Sequence, residues 1–146
     1  MNEVISQTPP ATGATPLKWY DWRGIGTILV VDDDSAIRSV VFRTVGRLGI
    51  TADQAGDGET AIALFQKDPG RYSLVLLDFM MPGMDGLEIL ARLHAIKPDV
   101  HVILMSGLGR HEAVGQFGAM GVAGFLQKPF ALEDLVNEVR AVIDPH

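Results

Sequence analysis

The sequence predicts an α/β protein built on a parallel sheet with helices on both faces. Three observations carry this. Short unbroken apolar runs, Ile28-Leu29-Val30-Val31, Leu74-Val75-Leu76-Leu77 and Val102-Ile103-Leu104-Met105, recur along the chain. Segments with helical periodicity separate them, and each run ends on a chemically competent residue. A run this short and this apolar reads as a strand buried on both faces. Strands alternating with helical patterns argue for parallel pairing through right-handed crossovers.

In chain order, residues 1–24 read as an arm or linker, because Pro9, Pro10 and Pro16 lie among Thr, Ala, Ser and Gln without apolar periodicity. Trp19, Tyr20 and Trp22 close it. Their expected role is to pack the arm onto the domain; the alternative is a contact with a partner or a preceding domain. The domain proper is assigned to residues 25–146. The first strand ends in Asp32-Asp33-Asp34, and Asp34 or Ser35 caps a helix running to about Leu48, with Ile37, Val40, Val41, Thr44, Val45 and Leu48 on one face. Gly49 ends it. A weak strand, Thr51–Ala55, is followed by a turn, Gly56-Asp57-Gly58, in which Asp57 reads as a turn residue. Glu59–Lys67 is a helix, broken by Asp68-Pro69-Gly70.

The Leu74 strand ends on Asp78. A loop through Gly83 leads to a helix from about Asp85, which starts it, to Ile96, stopped by Lys97-Pro98-Asp99. After the Val102 strand comes Ser106-Gly107. The segment Arg110–Met120 is a poor helix because Gly115 and Gly118 interrupt it. A last strand, Gly124–Gln127, ends in Lys128-Pro129-Phe130. The final helix, Leu132–Ile143, carries Leu135, Val136, Val139 and Val142 as its stripe.

Composition narrows the function. The chain of 146 residues is long enough for one domain with a real core. Its mean hydropathy of +0.20 suits a doubly covered sheet, yet no apolar stretch reaches the ~18 residues of a membrane span. The N-terminus has no signal-peptide pattern, and the chain has no cysteine; thiolate metal sites are excluded, and a cytoplasmic location is expected. A net charge of −6 without any basic run argues against direct nucleic-acid binding. His94, His101, His111 and His146 are scattered and form no cluster. Met80, Met81, Met84 and Met105 read as packing residues.

Asp32, Asp33 and Asp78 are expected to converge at the carboxyl edge of the sheet, where open α/β sheets place their chemistry. Three carboxylates repel one another, and a divalent cation relieves that repulsion. With oxygen ligands only, Mg²⁺ is favoured, with Mn²⁺ as a substitute. Lys128 adds a second positive charge and Ser106 a hydroxyl. A carboxylate nucleophile, a divalent cation, a lysine and a hydroxyl make a phosphoryl-transfer site, with Asp78 as the attacking group. Each residue alone also has a plainer reading: a cap, a turn or a surface lysine. Four such strand ends in order outweigh it.

These residues carry a resemblance. Val30-Val31-Asp32-Asp33-Asp34, Leu77-Asp78 through Asp85-Gly86, Met105-Ser106-Gly107 and Gln127-Lys128-Pro129-Phe130 resemble the receiver domain of bacterial two-component response regulators, from about Thr27 to Ile143. The resemblance implies a flavodoxin-like (βα)5 doubly wound sheet of order 2-1-3-4-5. It implies that Asp78 accepts a phosphoryl group from a sensor histidine kinase or phosphotransfer protein. Mg²⁺ would be held by Asp33, Asp78 and the Met80 backbone carbonyl, with Asp32 acting through water. Ser106 and Lys128 would hold phosphoryl oxygens, and Phe125 would be the switch aromatic, without the hydroxyl of a tyrosine. The face of the fourth helix, fifth strand and fifth helix would then change shape for a downstream protein. The glycine-rich segment Gly107–Gly124 is expected to be mobile without phosphate or metal.

Trp22–Thr27 and Gly121–Phe130 also look like receivers at the C-terminal end of hybrid sensor kinases; a stand-alone regulator fits equally. With only Asp144-Pro145-His146 after the last helix, output is expected to pass through another protein, from a monomer or a phosphorylation-dependent dimer. The domain is expected to be no enzyme beyond its own phosphorylation and autodephosphorylation. An aspartyl-phosphate phosphatase would want a carboxylate where Met80 stands. A flavin carrier would want a phosphate-cradling loop where Asp32–Asp34 stand. A phosphate-independent interaction module is the remaining alternative.

Overall fold

Every strand of the sheet is parallel to its neighbours, and the order is β2-β1-β3-β4-β5. In this computed structural model, which describes residues 18–144, the strands are β1 Thr27–Val31, β2 Thr51–Ala55, β3 Tyr72–Asp78, β4 Val102–Ser106 and β5 Gly124–Gln127. Five helices alternate with them: α1 Ser35–Arg47, α2 Gly58–Lys67, α3 Gly86–Ile96, α4 Arg110–Phe117 and α5 Leu132–Ile143. The expected flavodoxin-like (βα)5 fold and strand order are both present.

The unbroken apolar runs are explained by two cores, one on each face. Period-two alternation sends Leu29, Val31, Val75, Leu77, Val102 and Leu104 to the face covered by α2, α3 and α4. Ile28, Val30, Leu74, Leu76, Ile103 and Met105 go to the face covered by α1 and α5. Across Ile28–Val31, Leu74–Leu77 and Val102–Met105 no position is free to be polar until the strand ends. That is why the first carboxylates and the hydroxyl stand at the carboxyl edge.

Local differences from the sequence reading have simple causes. Asp57 is the N-cap of α2, not a mere turn residue: its carboxylate accepts from the Thr60 N–H at 2.7 Å and the Thr60 hydroxyl at 3.0 Å. Asp34 caps α1 by accepting from the Ala36 N–H at 2.9 Å, and Asp85 caps α3 through the Leu87 N–H at 3.1 Å. β3 starts earlier than its apolar run because Tyr72 pairs with Thr27 and the register then skips the exposed Ser73. The poor helix stops at Phe117 and continues as a 3₁₀ turn, Gly118–Met120, into Gly121 at φ 74°. Two further 3₁₀ turns, Trp19–Asp21 and Pro69–Arg71, had no periodic signal. The Met80 side chain is 75% exposed, so it is not a packing residue, whereas Met81 and Met84 pack on the core and Met105 is buried in it.

Of the arm, residues 1–17 lie outside the described residues. Trp22 is buried against α1 and α5, and its indole N–H donates to Asp144 at 3.2 Å. Trp19 packs partly on the same cluster. Among the described residues no helix is long and apolar enough to cross a membrane.

Candidate functional site

Parallel strands deliver their last residues to one edge, and the site is assembled from four of those ends. Asp32 follows β1, Asp78 closes β3, Ser106 closes β4 and Lys128 follows β5. One carboxylate oxygen from each of Asp32, Asp33 and Asp78 lies within 4.8 Å of the others. Asp32 is fully buried, Asp78 is buried and Asp33 is exposed to solvent.

Backbone amides fix the two buried carboxylates. Asp78 Oδ1 accepts from the Met80 N–H at 3.1 Å, and Asp32 Oδ1 accepts from the Asp34 N–H at 2.9 Å. Lys128 Nζ stands 2.7 Å from Asp32 Oδ2 and 3.2 Å from Asp78 Oδ2. Asp32 Oδ2 is buried, and apart from that Lys128 contact it has no hydrogen-bond donor among the described residues. Ser106 ties β4 to this arrangement: its carbonyl accepts from the Lys128 N–H at 2.7 Å, and its hydroxyl oxygen accepts from the Leu108 N–H at 3.2 Å. The Lys128–Pro129 peptide is cis. Phe125 is half-buried on β5 and shares with Ser106 and Leu108 a cavity of about 330 Å³.

The electrostatics follow from two buried carboxylates, Asp32 and Asp78, sharing one ammonium group. Burial holds the Asp32 carboxyl above its ordinary range; the charge of Asp78 adds to this, and Lys128 and the Asp34 N–H only partly offset it. Burial also works against the Lys128 ammonium, but its contacts with Asp32 and then Asp78 outweigh that and hold Lys128 above its ordinary value.

The residues of this edge fit a divalent cation such as Mg²⁺. The donors are all oxygens, they converge, and a buried carboxylate oxygen retains an uncommitted lone pair. Asp33, Asp78 and Asp32 would hold it. Among the described residues no other group of acids, histidines or cysteines converges in this way. His94 lies on α3, His101 precedes β4 and His111 lies on α4, and no group of them converges among the described residues; His146 lies outside those residues.

One contact at this edge had no sequence signal beyond a basic residue on the first helix. Arg38 on α1 turns back toward β1, and its Nη1 donates to the Asp32 carbonyl at 2.7 Å. A second is the aromatic pair Phe79–Phe117, with ring centres 4.4 Å apart, which joins the residue after Asp78 to the end of α4.

Known proteins resemble this chain in sequence and fold. The family model for the response regulator receiver domain matches residues 28–140. Sporulation initiation phosphotransferase F of Bacillus subtilis is 34% identical over 77% of this chain and 90% of its own length. Sensor kinase CckA of Brucella abortus is 32% identical over 87% of this chain, which spans only 13% of that protein. Response regulator MprA of Mycolicibacterium vanbaalenii is 38% identical over 80% of this chain and 49% of its own. Among solved structures, chemotaxis protein CheY4 of Vibrio cholerae superposes with a TM-score of 0.72 at 28% identity, covering 81% of this chain and 98% of that one. A CheX-CheY-BeF3-Mg complex from Borrelia burgdorferi gives 0.75 at 27% identity, covering 80% and 88%.

Proposed function

This chain belongs to the response regulator receiver domain family of two-component signalling, and on that premise we propose that Asp78 is its phosphoacceptor. The observation that carries the reading is the convergence of Asp32, Asp33 and Asp78 around one lysine at the carboxyl edge.

The donor is a phosphohistidine on a sensor histidine kinase or a phosphotransfer protein. An Asp78 carboxylate oxygen attacks phosphorus; the new O–P bond forms as the N–P bond breaks, and its electron pair leaves with the donor imidazole. Asp33, Asp78 and the Met80 backbone carbonyl would hold Mg²⁺, with Asp32 helping through water. When bound, Mg²⁺ supplies positive charge opposite the phosphoryl oxygens. Lys128 leaves its contact with Asp78 to pair with a phosphoryl oxygen, and the Ser106 hydroxyl turns to donate to another. Phe125 then occupies the space vacated beside Ser106, which carries the change to the face of α4, β5 and α5 for a downstream protein.

Residues 25–146 make up the receiver in this reading and residues 1–24 its arm. The likeness to sensor kinase CckA supports work inside a hybrid kinase, and that to sporulation initiation phosphotransferase F supports a relay between separate proteins. We place this function in the cytoplasm, with a monomer or a phosphorylation-dependent dimer as the working unit.

The test is intact-mass analysis after incubation with acetyl phosphate, with and without Mg²⁺, for the native chain and Asp78→Asn. One added phosphoryl group, dependent on both Mg²⁺ and Asp78, is expected. No addition to the native chain from acetyl phosphate or from a phosphorylated histidine donor would favour the phosphate-independent interaction module instead.

A further inference from the structure

We infer that Arg38 is a positioning residue for the metal-binding carboxylates, tying down the Asp32–Asp34 loop through the Asp32 carbonyl. The inference rests on the Mg²⁺ reading of the acidic edge given above.

The loop is short of anchors. Asp33 is exposed, and its side chain makes no hydrogen bond or ion pair among the described residues, so its position is set by its neighbours. Asp32 is held at its N–H by the Ala55 carbonyl at 3.1 Å and at its carboxylate by the Asp34 N–H at 2.9 Å. On its carbonyl side the hold is the Arg38 guanidinium, at 2.7 Å. Arg38 is itself fixed. Its backbone N–H closes the first turn of α1 on the Asp34 carbonyl at 3.1 Å. Its guanidinium also lies against the backbone of Gly56, where an added Cβ would stand 3.2 Å from Nη1 and 3.6 Å from Cζ. The side chain therefore bridges the loop after β1 to the loop after β2, and Gly56 leaves room for it.

Outer partners of this kind orient ligands before the ion arrives, which removes an ordering cost from binding. A long-range charge effect would run the other way, since a nearby cation opposes Mg²⁺. The two accounts differ in sign.

The experiment uses the full chain, with Mg²⁺ alone as the ligand in calorimetric titrations and hydrogen exchange in the metal-free state. In Arg38→Ala, Mg²⁺ binding is expected to weaken about tenfold, the effect usual for a lost outer partner. Exchange at the Asp32–Asp34 amides should quicken while the β3 and β4 amides stay native. Saturating Mg²⁺ should return the rate of phosphorylation by acetyl phosphate to the native value, which a general loss of structure would not allow. Gly56→Ala keeps the arginine but crowds its guanidinium; it should shift both readouts the same way and less, and it serves if Arg38→Ala does not fold. Native binding and exchange in the variants, or tighter binding in Arg38→Ala, would overturn the inference while the Mg²⁺ reading stands. If the native chain takes up no Mg²⁺, the parent reading fails and this inference with it.

Discussion

Lys128 reaches Asp32 more closely than it reaches Asp78, 2.7 Å against 3.2 Å, although Asp78 is the residue expected to react. The ammonium group thus stands beside the most deeply buried charge of the edge. Even so, burial leaves the Asp32 carboxyl raised. The sign of its linkage to folding follows. A raised carboxyl favours the fold fully below its ordinary value of 3.8, and that contribution is lost as pH rises through the folded value. Once pH exceeds the folded value, the ionised Asp32 therefore weighs against the metal-free fold. Asp32→Asn is expected to raise the melting temperature of the metal-free protein by a few degrees at pH 7. The gain should shrink as pH is lowered toward 3.8 and should not grow further above the folded value. Melting curves across that range check this; a variant less stable than the native chain at pH 7 would contradict it.

Lys128 is expected to separate metal binding from phosphoryl transfer. Its ammonium competes with a cation for Asp32 and Asp78, yet it is also the side chain available to a phosphoryl oxygen. Lys128→Met should therefore bind Mg²⁺ at least as tightly as the native chain. Its phosphorylation at saturating Mg²⁺ should slow about a hundredfold, the loss expected for one preorganised donor. Titration calorimetry and phosphorylation time courses, run on one preparation, give both numbers. Parallel loss of both would assign Lys128 to holding the site together instead.

The strand ends were legible in sequence because burial on both faces forbids polar residues until a strand leaves the sheet. Asp32, Asp78 and Ser106 thus announce the edge themselves, whereas Lys128 follows the edge strand β5, which already carries the exposed Gln127. Strand order was not, since a period of two is the same for any arrangement of parallel strands; it came with the resemblance. Asp57 was misread because an aspartate before a glycine suits a turn and a cap equally, and only the Thr60 amide decides. Arg38 was invisible for another reason. Its bond to the Asp32 carbonyl joins a helix side chain to a loop backbone six positions earlier, and periodicity carries no such information.

Trp22 takes the arm's last aromatic into the core. It is 5% exposed, belongs to the core cluster of Val41, Val45, Leu48 and Val139, and bonds Asp144 near the end of the described chain. Trp22→Ala should cost about 3 kcal/mol in urea unfolding, at the low end for an aromatic truncation because the arm can partly relax. Asp144→Asn, which keeps an acceptor for the indole N–H, should stay within about 0.5 kcal/mol of native. A small loss in Trp22→Ala would mean that the arm rests on the domain without supporting it.

Gly115 offers a test of α4 that touches no site residue. It lies on the exposed face of the helix, and a Cβ added there would meet nothing within 4 Å. Its φ is not positive, so alanine fits the backbone without strain. The glycine therefore contributes only conformational freedom, and Gly115→Ala should stabilise α4 by about 0.5–1 kcal/mol. Because Ala113 and Phe117 are the described residues of α4 buried in the core, the helix is expected to open locally before the sheet does. The gain should then appear as hydrogen exchange slowed by up to about fivefold across Arg110–Phe117, with β1 and β3 amides unchanged. Equal slowing throughout the protein would show instead that α4 opens only when the whole domain unfolds.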